Sequence, residues 1–103
     1  MDIYYIGATA PPFDFTYKNK KGAVIPITGG TFVVTFRDKV SGAKVIGQNT
    51  PTIIDGPNGK VRYLLHANDL SNTGNGIKEV FCVATVGSNI YKPKPIVIEV
   101  KTI

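Results

Sequence analysis

Thr52-Ile53-Ile54-Asp55 and the run Lys60 to Leu65 stand on either side of Gly56-Pro57-Asn58-Gly59. The first run is β-branched and apolar, as a pleated, half-buried segment requires. Within the turn, proline presets φ at the first central position and asparagine suits the second. Glycine then takes the left-handed conformation that closes the loop. The second run alternates strictly, with Val61, Tyr63 and Leu65 on one face and Lys60, Arg62 and Leu64 on the other. The expectation is a β-hairpin over residues 52–65, a statement about architecture that carries no chemistry.

The same patterning recurs along the chain. Phe13, Phe15 and Tyr17 alternate with Asp14 and Thr16. Phe32, Val34 and Phe36 make an apolar face opposite Thr31, Val33, Thr35 and Arg37, and Ile96, Ile98 and Val100 face inward from a last strand. Residues 1–12 read as an N-terminal arm or an edge strand, the strand falling on Ile3 to Ile6. Lys44-Val45-Ile46 is a short return strand after a turn at Ser41-Gly42. Ala23 to Ile27 is extended, and Pro26, with no N–H for a ladder, places it at an edge or a crossover. Residues 66–76 are polar and broken, with room for one helical turn near Ala67 to Leu70. Ile77 to Val86 is a long strand with Val80, Cys82, Ala84 and Val86 on one face and Glu79, Phe81, Val83 and Thr85 on the other. Ile90 to Pro95 reads as a proline-spaced link. About seven strands at spacings of roughly 8 to 12 residues predict an all-β sandwich.

The totals narrow the function classes. With 103 residues the chain is one domain, and a hydrophobic fraction of 43% argues against disorder. No stretch approaches the roughly 20 apolar residues of a membrane span. The start, Met1-Asp2-Ile3-Tyr4-Tyr5, lacks a secretory signal, so synthesis in the cytoplasm or cleavage from a longer precursor is expected. The single cysteine, Cys82, excludes an internal disulfide and a cysteine-based zinc site, and it reads as a small packed apolar residue. Asp14, Asp38, Asp55, Asp69, Glu79 and Glu99 are scattered singly beside one histidine, His66. That set makes no triad and no zinc site with several histidines, so no enzyme, metal or cofactor is expected. Asp55 is expected to accept hydrogen bonds in its own turn and Asp69 to cap a helical turn.

The net charge of +5 gathers in loops, at Lys18, Lys20 and Lys21 and at Lys92 and Lys94 around Pro93. Neither cluster carries interleaved aromatics, and only Arg37 and Arg62 could fork onto bases, so nucleic acid is not an expected partner. For carbohydrate, Tyr4, Tyr5 and Tyr91 near Asn89 are the only candidates, and a tyrosine so placed is more often a packing residue at a strand edge.

A larger pattern emerges when the pieces are taken in order. Ala10-Pro11-Pro12-Phe13-Asp14-Phe15 leads a strand, followed by Pro26-Ile27-Thr28-Gly29-Gly30-Thr31-Phe32 and Thr35-Phe36-Arg37-Asp38. Ile54-Asp55, Gly59-Lys60-Val61-Arg62-Tyr63, Asn68-Asp69 and a final β-pair complete it. From about Ala8 to Val100 the chain resembles the N-terminal immunoglobulin-like domain of bacteriophage baseplate upper proteins and related tail proteins. The resemblance implies an immunoglobulin-like β-sandwich of about seven antiparallel strands. It implies a non-enzymatic structural protein of a phage or prophage particle, in the tail or baseplate, and so a virion location. The implied partners are other virion structural proteins and further copies in a homo-oligomer. That family domain usually heads a longer polypeptide, so the chain is expected to be either a stand-alone virion protein or an excised domain.

Two features depart from the family. Leu65 stands where members often carry a tryptophan, and the penultimate strand is apolar at Val80, Cys82 and Ala84 where theirs is polar outward. With Phe81 and Val83 facing the core, as the family pattern implies, Val80, Cys82 and Ala84 form an outward apolar strip and a candidate interface. The alternative is a strand covered on both faces by its own chain. Lys18, Lys20 and Lys21 form a second candidate contact, toward acidic patches on a neighbour. Alternative functions are an immunoglobulin-like adhesion module for host carbohydrate or protein, and a capsid decoration protein.

Overall fold

The computed structural model describes residues 1–102. Its strands in chain order are β1 (Asp2–Tyr5), β2 (Phe13–Thr16), β3 (Thr31–Asp38), β4 (Lys44–Ile46), β5 (Thr52–Asp55) and β6 (Lys60–Tyr63). A short helix α1 (Asp69–Thr73) precedes β7 (Gly76–Val86), β8 (Asn89–Tyr91) and β9 (Ile96–Lys101). They form two sheets. The larger has six strands in the order β1-β9-β7-β3-β4, with β8 also paired to β7, and the smaller runs β2-β6-β5.

The hairpin that anchors the sequence reading is β5–β6, antiparallel, with a bulge between Ile53 and Asp55. Gly59 closes its turn at φ +69°, and Asn58 donates from Nδ2 to the Asp55 carboxylate at 2.7 Å. Val61, Tyr63 and Leu65 are buried while Lys60, Arg62 and Leu64 are exposed, so the alternation holds. The first run is less buried than its composition implies. β5 is the sheet's edge, and Ile53 and Ile54 remain 37% and 53% exposed.

Nine strands among the described residues replace the expected seven or so, and the pairing is not wholly antiparallel. β1 is an edge strand, not a free arm, and it runs parallel to β9 with Tyr4 opposite Val100. Tyr4 anchors it: the side chain is buried, its ring centroid lies 5.1 Å from that of Phe13, and its hydroxyl donates to the Pro11 carbonyl. The supposed link at Ile90 begins instead with β8. Gly87 at φ +61° allows a two-residue turn, so Val86 and Asn89 pair and the chain folds back on β7. Ala23 to Ile27 stays outside both sheets, joined by a bridge between Lys18 and Val24, as a segment containing Pro26 should be.

The core lies between the sheets. Phe13, Phe15, Val61 and Tyr63 enter it from the smaller sheet; Val34, Phe36, Val80, Cys82, Ala84, Ile98 and Val100 enter it from the larger. Edge-on aromatic contacts knit the layers, with Phe36 centroids 6.2 Å from Phe13 and 6.4 Å from Tyr63. Tyr17 adds a polar tie. β7 pairs with β9 over Gly76–Val80 and with β8 over Ala84–Val86, which leaves Cys82 in the gap. The Tyr17 hydroxyl donates to the Cys82 carbonyl there at 2.6 Å.

Candidate interaction surface

Each titratable side chain buried in the interior has a structural partner. Asp69, 1% exposed, accepts from the Tyr63 hydroxyl at 2.5 Å, the Gln48 amide at 2.8 Å and the His66 amide at 2.9 Å. It therefore pins the β4–β5 connection and the start of α1 to β6. This differs from the expected helix cap, because Asn68 holds the cap position and makes no side-chain cap bond. Burial, then the bond to Asp69, raises the Tyr63 hydroxyl far above its ordinary range. Lys78, 2% exposed, is neutralised by Asp38. That ammonium, together with the Ser41 and Val40 amides, holds the Asp38 carboxyl far below the usual carboxylate range. Burial raises the Cys82 thiol, and the Tyr17 contact offsets part of the rise. Among the described residues, no buried side-chain polar atom lacks a partner and no metal-ligating group of three or more gathers.

The strip expected outside lies inside. Val80, Cys82 and Ala84 are each 0% exposed and face the core, which removes them as an exposed interface. The physical reason is parity. β7 is apolar on both faces, so its composition leaves the inward set open, and pairing with β3 decides it. Val34 opposite Cys82 and Phe36 opposite Val80 place the large β3 side chains and their β7 partners on one side. Lys18, Lys20 and Lys21 are exposed, as expected of a loop. That loop is ordered by Asn19, whose Oδ1 accepts from the Lys21 and Ala23 amides.

The outward face of the larger sheet is built from the complementary set. Val33 opposes Val83, Thr35 opposes both Phe81 and Ile46, and Thr85 opposes Ile90. Val33, Ile46 and Ile90 are 47%, 55% and 64% exposed, and among the described residues no further sheet or helix forms a layer across this face. Residues on directly opposed positions lie side by side, so these apolar groups form one patch rather than scattered points.

At one end the patch runs into a groove of about 200 Å³ lined by Arg37, Lys44, Phe81, Lys92, Pro93 and Pro95. Arg37 lies over the Phe81 ring, its guanidinium carbon 5.7 Å from the centroid, and donates from Nε to Glu79 at 3.0 Å. The neighbouring cations Lys44 and Lys92 are exposed and take part in no ion pair among the described residues. A wider hollow on the smaller sheet, about 350 Å³, is lined by Asp14 and Arg62, which satisfy each other at 2.8 Å.

No protein-family model and no curated protein sequence matches the chain.

The tyrosines considered for carbohydrate are not brought together. Tyr4 is buried, Tyr5 lies on β1 beside Lys101, and Tyr91 lies on β8 against the far end of β7. In the sequence Lys92 belongs to loop charge, and no local pattern joins it to Lys44. Their proximity arises because β4 begins opposite Arg37, and the segment after β8 passes the same stretch of the larger sheet beside Phe81. The available signal was Lys92-Pro93-Lys94-Pro95 itself, two cations on a stiff segment.

Proposed function

We propose that the protein is a non-enzymatic structural component of a bacteriophage or prophage particle, in the tail or baseplate, working through assembly contacts. Its two packed sheets are then an immunoglobulin-like sandwich, and its partners are other virion proteins and further copies of itself. The observation that carries the reading is the outward face of the larger sheet. Val33, Ile46, Val83 and Ile90 sit on one face by cross-strand register there, and among the described residues no further strand or helix forms a layer over them. A rigid sheet face of this kind suits a protein whose work is to hold neighbours in place, and the resemblance over residues 8–100 points to a phage particle. An adhesion module gains less support, because Tyr4, Tyr5 and Tyr91 are dispersed.

The test is composition of particles. Mass spectrometry of purified phage particles or tails from the source strain should find the chain in fixed ratio to the other tail proteins. Neighbouring reading frames should encode tail or capsid components. A chain confined to the non-particle fraction, with unrelated neighbours, would end the proposal.

A further inference from the structure

We infer that the groove between Lys44 and Lys92 receives an acidic, partly apolar segment of a different protein. This deepens the assembly reading by giving the chemistry of the neighbour. Lys44 and Lys92 present positive charge at the rim that no ion pair among the described residues offsets, while Glu79, which like Lys44 stands opposite Arg37, is already held by Arg37. Phe81, Pro93 and Pro95 supply apolar walls. The groove opens toward Ile46, Val33 and Val83, so an extended segment can place carboxylates between the lysines and apolar side chains along the patch.

Charge disfavours a second copy docked groove against groove. The chain carries +5, and that pairing sets Lys44 and Lys92 against their own counterparts, while Glu79 is already held by Arg37. Nucleic acid fits poorly for a different reason. Both arginines are committed, Arg37 to Glu79 and Arg62 to Asp14, and the one aromatic ring of the groove is covered by Arg37.

The experiment titrates the isotope-labelled full chain with a peptide alternating glutamate and leucine, read by amide chemical shifts. The expected result is shifts centred on Arg37, Lys44, Phe81 and Lys92, weakening as salt is raised. The double substitution Lys44→Glu with Lys92→Glu should weaken binding at least about tenfold. Lys18→Glu with Lys20→Glu, which changes net charge equally, should leave it intact. Both pairs are exposed, so unchanged circular dichroism is expected of both variants. Equal loss in the two variants overturns the inference, as does equal binding of a glutamine-for-glutamate peptide. Displacement by an oligothymidylate at equal charge overturns it in favour of nucleic acid. Concentration-dependent shifts of the same residues without peptide overturn it in favour of self-association. The particle analysis above is independent, so an empty groove leaves the assembly reading standing, and absence from particles leaves the groove measurement standing.

Discussion

Asp69 and Asp38 show how single carboxylates hold this fold where sequence spacing suggested only turns. Tyr63→Phe removes one of three donors to the buried Asp69, and a loss of about 1–3 kcal/mol is expected in urea denaturation. Asp38 sets an acid limit. Its folded-state pKa lies below the unfolded value of about 3.9. Its contribution is therefore complete above that unfolded value and is lost as pH falls below it toward the folded pKa. Stability should be flat from neutral pH to about pH 5 and fall below about pH 4, and Asp38→Asn should flatten part of that fall in chemical denaturation against pH. Gly59→Ala meets a different limit. A Cβ there would lie 2.6 Å from the Ile25 carbonyl oxygen at φ +69°, so a loss of at least about 1–3 kcal/mol is expected.

At the scale of elements, β7 is the strand on which the two readings of the molecule divide. Val80 and Val83 are equally apolar in sequence, yet Val80 is 0% exposed and Val83 lies on the uncovered face. Val80→Lys should abolish cooperative folding, because it places an unpaired ammonium in the core. Val83→Lys should leave the thermal transition close to wild type. Comparable unfolding of both variants would reverse the assignment of faces. β1 gives a second test. Tyr4→Ala should cost about 3 kcal/mol by the loss of a buried aromatic side chain, measured by the urea midpoint. An unpaired arm would show no such loss.

For the whole molecule, the sheets share one core and are tied by Tyr17 donating to Cys82, so they should unfold together. Far-ultraviolet circular dichroism and tyrosine fluorescence, the latter undisturbed by tryptophan, should give coincident transitions. Iodoacetamide should label Cys82 only as that transition proceeds, since the thiol is buried and burial raises it above its ordinary range. An early labelling phase would mean that β7 opens independently of the rest.

The hairpin turn, the strands with one apolar face and the helical turn after residue 66 follow from local chemistry, because alternation and turn residues act over a few positions. The direction of β7 does not, because a strand apolar on both sides satisfies its own pattern either way up. Pairing with β3 across more than forty positions of chain decides it. The parallel β1–β9 pair and the meeting of Lys44 with Lys92 have the same origin. Both require residues far apart in sequence to be aligned by the sheet, and register of that kind is written in no single segment.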